Sequence, residues 1–130
     1  MSVELKSNKT ENKSIISEKS YAFALLIISI YKELKIQNEF ILSKQILRSG
    51  TSIGANVNEA ISAESKKDFV HKLGISLKEA RETKYWLNLL KDSDYINQET
   101  FNKLNKNCEE LIKILSSIIL TTKQRSLNNS

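Results

Sequence analysis

The 130-residue sequence has no proline, three glycines, one cysteine and one histidine, and each shortage excludes some chemistry. Without proline no helix is interrupted by a missing amide, so long continuous helices are expected. Cys108 alone cannot close an internal disulfide, and with His71 as the only histidine no cluster has metal-ligand spacing. No metal and no cofactor are expected. A phosphate-cradling loop needs a strand, a turn and a helix, yet Gly50 and Gly54 lie inside a helical pattern with no Gly-Lys-Ser/Thr after them. The Glu-x-x-His motif of di-metal bundles is absent, and Ser49 and Ser52 have no histidine near in sequence. No catalytic residue is assigned, and the chain is read as a non-enzyme.

Long apolar runs are also scarce. The longest, Tyr21 to Ile28, resumes after Ser29 as Ile30-Tyr31 and falls short of the roughly 20 residues that span a bilayer. Glu4, Glu11 and Glu18 precede it and no small-residue cleavage pattern follows, so neither a membrane span nor a signal peptide is expected. The expected location is the cytoplasm. The composition, 40% hydrophobic and 27% charged, is that of one soluble domain able to bury a core.

What is present is helical periodicity. Leu42, Ile46, Gly50, Ile53, Val57 and Ile61 share one side of a helix, while Arg48, Ser52, Asn56 and Glu59 share another, flanked by Ala55 and Ala63. Two glycines four apart each cost about 1 kcal/mol relative to alanine in a helix interior, so close approach of a second backbone is expected there. The pattern predicts an all-α domain over 14–123, with helices at 14–35, 39–64, 66–91 and 98–123. Residues 1–13 and 124–130 are polar and read as disordered tails. Ser65 followed by Asp68 is a variant capping box that starts the third helix.

Helix one is apolar around its whole circumference from Tyr21 to Ile28, which suggests burial on all sides and a contact with another subunit. Phe69, Val70, Leu73, Leu77, Ala80 and Leu87 form the main apolar side of helix three, whereas Ile75, Trp86 and Leu90 point elsewhere with Glu79. Phe23, Ile75, Trp86 and Leu90 are therefore the expected oligomer interface. In helix four, Leu104, Cys108, Leu111, Leu115 and Ile118 form a bundle seam, which makes Cys108 a buried thiol rather than a nucleophile.

The net charge of +5 is concentrated between Lys66 and Lys91, where seven cations oppose three acids. Lys67, His71, Lys78 and Arg81 share one stripe ending near Tyr85, the candidate surface for RNA or DNA phosphates; a solvated face without a partner is the competing reading. Arg48, Ser52, Asn56 and Glu59 with Glu79, Arg81 and Glu82 form a candidate polar network between helices or subunits.

The string from Gln45 to Ala60, with its Arg48-Ser49-Gly50-Thr51-Ser52-Ile53-Gly54-Ala55-Asn56 core, resembles bacterial four-helix-bundle proteins encoded in intervening sequences of 23S ribosomal RNA genes. So do Asp68 to Leu73, Leu77 to Thr83 and Tyr85-Trp86-Leu87. The resemblance spans about Ser20 to Leu120 and implies an antiparallel up-down-up-down bundle assembling as a ring-like homo-oligomer, typically a pentamer. More remotely the chain is similar to the accessory variability proteins of diversity-generating retroelements, which implies basic rings that meet nucleic acid and a partner protein. The functions expected are weak RNA or DNA binding through helix three, or recruitment of a partner protein by the ring.

Overall fold

A computed structural model describes residues 2–128 and shows four helices, α1 (Ser2–Ile36), α2 (Leu42–Ile61), α3 (Lys66–Asp92) and α4 (Gln98–Asn128), with no strand among them. Each helix carries a buried seam that alternates steps of three and four residues, the spacing that keeps a stripe facing its neighbours along a bundle. In α1 it is Ile16, Ser20, Phe23, Ile27, Ile30 and Leu34; in α2, Ser43, Ile46, Gly50, Ile53, Val57 and Ala60. In α3 it is Leu73, Ser76, Ala80, Thr83, Leu87 and Leu90; in α4, Phe101, Leu104, Cys108, Leu111 and Leu115. Consecutive helices pack together and α4 closes against α1, while the diagonal pairs stay apart.

Between consecutive helices the observed pairings run in opposite sequence directions. Ile27 lies against Gly50 and Ser20 against Gly54; Ser76 reaches Ile53 and Thr83 reaches Ser49; Cys108 meets Ala80 and Phe101 meets Lys91. The glycine expectation holds in detail at Gly54, where an added Cβ would stand 3.3 Å from the Ser20 carbonyl oxygen. At Gly50 the approaching group is a side chain, Ile27, whose Cγ1 would be 2.7 Å from such a Cβ.

The corners are built without glycine or proline. Asn38 (φ 63°) and Asp94 (φ 64°) take the left-handed conformation that ends α1 and α3. The amides of Asn38 and Glu39 donate to Lys35 and Leu34, and those of Asp94 and Tyr95 to Lys91 and Leu90, so both corners are Schellman endings. Buried Glu39 then caps α2, its Oε1 accepting from the amides of Ile41 (2.9 Å) and Ser43 (2.8 Å). Ser65 Oγ accepts from the Asp68 amide at 3.1 Å, as its spacing predicts, and Asn97 Oδ1 does the same for Thr100 at 2.8 Å.

Several boundaries differ from expectation. α1 begins at Ser2 rather than 14, so the segment read as a tail is helical from residue 2; residue 1 lies outside the described residues. Once the seam from Ile16 onward nucleates the helix, a polar extension with no glycine or proline adds one hydrogen bond per residue. By the same reasoning α4 runs to Asn128, through most of the expected C-terminal tail, with 129 and 130 outside the described residues. α2 is shorter than 39–64: Glu39 caps its start from outside, and the helix ends at Ile61.

α1 is not buried on all sides: Tyr21 and Leu25 are 68% and 53% exposed. By length and composition Asn12–Ile36 is apolar enough to cross a membrane, with a mean hydropathy of 1.3, which counting the uninterrupted run alone does not register. In the bundle its Ile16, Phe23, Ile27, Ile30 and Leu34 belong to the core.

Candidate nucleic-acid interface

The stripe Lys67, His71, Lys78 and Arg81 emerges on α3 with all four side chains exposed, and the exposed ring of Tyr85 continues it. The seam Leu73-Ser76-Ala80-Thr83-Leu87-Leu90 turns the opposite side of α3 inward. Helical spacing then fixes the basic row outward.

Of the other four cations of α3, Lys66 at its first position makes no ion pair among the described residues, and the remaining three are engaged within the protomer. Lys72 pairs with Glu59 of α2 at 3.0 Å, Lys84 with Glu109 of α4 at 2.9 Å, and Lys91 sits 4.1 Å from the centre of the Phe101 ring. The Lys84 ammonium, hydrogen-bonded to Glu109, holds that carboxyl below its usual range. By contrast, Lys67, His71, Lys78 and Arg81 make no ion pair among the described residues. Lys67, Lys78 and Arg81 are thus uncompensated charges.

Its acidic border is neutralised from α2. The Arg48 guanidinium spans Glu79, at 3.0 Å, and Glu82, whose carboxylate also accepts from the Trp86 indole at 3.3 Å. Arg48, Glu79 and Glu82 therefore form an interhelical network, on a side chain that is 49% exposed at Arg48. The other residues expected in it are placed differently. Ser52 donates to the Arg48 carbonyl and Asn56 to the Ser52 carbonyl at 2.8 Å, both within α2, and Glu59 joins Lys72 instead. Arg81 faces outward with the basic row.

The expected interface residues also divide. Ile75 and Trp86 are half-buried, with Tyr85 meeting the Trp86 ring edge-on at 5.2 Å. Phe23 (1% exposed) and Leu90 (0%) lie inside the protomer's own core and cannot reach another subunit. Among the described residues, the large apolar side chains left exposed on α1 are Ile15, Tyr21, Leu25 and Ile36. Leu90 continues the 73-76-80-83-87 seam, which sequence reasoning missed because Ser76 and Thr83 occupy two of its positions. Each is buried with its hydroxyl satisfied: Ser76 donates to the Ile53 carbonyl at 2.8 Å, and Thr83 sits 2.9 Å from the Ser49 hydroxyl.

Cys108 is fully buried and donates to the Ala80 carbonyl at 3.2 Å; burial pushes its thiol up to about 12, against a smaller downward pull from Lys84. Ser49 is buried against Thr83, and exposed His71 forms no hydrogen bond with either serine of the Arg48-Asn56 string. The described residues hold no group of three or more His, Cys, Asp or Glu side chains placed to share a metal ion.

Comparison with known proteins gives a family and a solved relative. The model of the family described as "23S rRNA-intervening sequence protein" matches residues 12–117. Among solved structures, the chain is similar to a 1.70 Å crystal structure of "a protein with unknown function from S23 ribosomal protein family" from Bacteroides thetaiotaomicron VPI-5482. The two share 50% identity over 83% of this chain and 97% of that one, with a TM-score of 0.82. No curated protein matches.

Proposed function

Because the chain belongs to the 23S rRNA-intervening sequence protein family, we propose that it is a non-enzymatic, cytoplasmic assembly protein that binds RNA or DNA through the outward face of α3. The bundle is up-down-up-down, in line with the opposed pairings of Ile27 with Gly50, Ile53 with Ser76 and Ala80 with Cys108. Protomers join in a ring, five copies in the fullest form, through exposed Tyr21 and Leu25 of α1 and half-buried Ile75 and Trp86 of α3.

One observation carries the binding reading: along the body of α3, Lys72 and Lys84 are paired across helices, while Lys67, Lys78 and Arg81 stand in one exposed row without carboxylate partners. Such a row neutralises phosphates and releases counterions, giving salt-dependent affinity with little sequence preference. Repeated around a ring, several weak rows act together, because the first contact raises the local concentration of nucleic acid at the next.

The test is a mobility shift of structured RNA and duplex DNA across salt concentrations. Binding is expected to weaken linearly on a log–log salt plot, and Lys78→Gln/Arg81→Gln should flatten the slope by about 0.9 for each phosphate that the variant no longer neutralises. Absence of binding at low salt, or an unaltered slope in the variant, refutes the reading. A tagged protein that retains one protein partner after nuclease treatment would instead support recruitment by the ring.

A further inference from the structure

The far end of the bundle, away from the α1–α2 corner, holds a half-open cavity of about 330 Å³ where the N-terminal part of α1, the end of α2, the start of α3 and the end of α4 converge. That volume equals about eleven waters at liquid density, enough for a small organic molecule. Its apolar wall comes from Ala60, Phe69 and Ile118, all part of or packed against the core.

Three cations line the same cavity: Lys13 from α1, Lys66 from α3 and Arg125 from α4, against a single carboxylate, Glu64. None of the three is in an ion pair among the described residues. Lys13 is fixed over the Phe69 ring, its Nζ 5.1 Å from the centroid, which sets a charge directly beside the apolar wall. Three helices thus bring unpaired positive charge to one recess whose floor is greasy. Three like charges lining one recess repel each other without an anion between them.

We infer that this end cavity binds a small amphiphilic anion, an apolar body with one carboxylate or phosphate head, the body against Phe69 and Ile118 and the head among Lys13, Lys66 and Arg125. The inference is independent of the nucleic-acid reading, whose residues Lys78 and Arg81 do not line the cavity. It also differs in chemistry, since a polyanion without an apolar body would leave Ala60, Phe69 and Ile118 unused.

The test is calorimetric titration and equilibrium dialysis of the full chain with octanoate, 1-octanol and inorganic phosphate. Octanoate should bind saturably at one site per protomer, at least tenfold more tightly than 1-octanol or phosphate. Lys66→Gln/Arg125→Gln should weaken octanoate at least tenfold, as should Thr121→Trp, which places a large ring at the cavity rim. Should the first variant lose its helical circular dichroism, Lys13→Gln/Lys66→Gln carries the same expectation. Lys78→Gln/Arg81→Gln should leave octanoate binding unchanged. No saturable octanoate binding at millimolar concentration, equal affinity for 1-octanol, or equal weakening by the Lys78/Arg81 variant would each overturn the inference.

Discussion

Substituting two glycines of this chain by alanine should have unequal effects on stability, and the contrast tests the α1–α2 contact. In Gly74→Ala the added Cβ meets nothing within 4 Å, so the variant gains helix propensity alone, about 1 kcal/mol. In Gly50→Ala the same gain is opposed by a clash, since the new methyl would sit 2.7 and 2.8 Å from Cγ1 and Cγ2 of Ile27. Carbon atoms prefer about 3.5–4.0 Å, so one of the groups must move by about 1 Å. Ile27 has no freedom to do so: it is fully buried and branched at Cβ, and turning χ1 only exchanges the offending carbons. Overpacking of this kind costs about 1–3 kcal/mol, leaving Gly50→Ala between neutral and about 2 kcal/mol less stable than the parent.

Urea unfolding followed by circular dichroism reads the two midpoints directly, at equal protomer concentration so that association does not contribute to the difference. Because both variants receive the same propensity gain, the gap between them isolates the clash, and Gly74→Ala should be the more stable by about 1–3 kcal/mol. Ile27→Ala alone should lose about 2–5 kcal/mol, whereas Gly50→Ala/Ile27→Ala should be more stable than the sum of its parts, because the new methyl refills space. A Gly50→Ala variant at least as stable as Gly74→Ala would refute this packing of α2 against α1.

Three further outcomes follow from local chemistry. Cys108 is more basic folded, at about 12, than its ordinary value of 9.0, so the stability it contributes is complete below pH 9 and is lost as pH rises toward 12, at about 1.4 kcal/mol per unit. Between pH 8 and 10.5 the parent should therefore lose about 2 kcal/mol more than Cys108→Ala, and equal losses in chemical denaturation would contradict the burial. Asn38→Gly and Asp94→Gly should each stabilise by up to about 1 kcal/mol, since both residues hold φ near +63° where glycine is unstrained; thermal unfolding that shifts downward would count against the Schellman corners. Arg48→Met should change protomer stability by less than about 1 kcal/mol and lose its effect in high salt, because the guanidinium is half exposed; a salt-independent loss above about 2 kcal/mol in urea titration would place the network inside an assembly.

The parts of the fold that could be read from the sequence are those where one residue type has one physical reason for its position. Ser65 and Asp68 announced a helix start through a capping hydrogen bond, and Gly54 announced a close backbone because helices otherwise avoid the residue. Arg48, Glu79 and Glu82 were legible as a network by charge alone. Where a segment carries no contrast, its orientation is not legible. α1 is apolar on every side from Tyr21 to Ile28, so nothing in its pattern says that Phe23 faces inward and Leu25 outward. On α3 the inward stripe contains Ser76 and Thr83, which read as polar until their hydroxyls are seen bonded to α2, and this displaced Leu90 from the core it joins.

The candidate sites divide along the same line. A row such as Lys67, His71, Lys78 and Arg81 is visible in sequence because it lies on one helix, where spacing alone decides which side chains are neighbours. What spacing does not decide is which cations are cancelled: Lys72 and Lys84 have the same charge but are paired with Glu59 and Glu109 across helices. The end cavity has no linear signature at all, since Lys13, Lys66 and Arg125 come from three helices and meet only when the bundle closes. The two surfaces also differ in what they can select. An exposed row in water discriminates by charge density and is screened by salt, whereas a recess with an apolar wall adds a contribution of about 25 cal/mol per Å² that salt does not screen. Salt titration therefore separates them on one protein: nucleic-acid binding at α3 should fall steeply with ionic strength, and octanoate binding at the bundle end should fall far less.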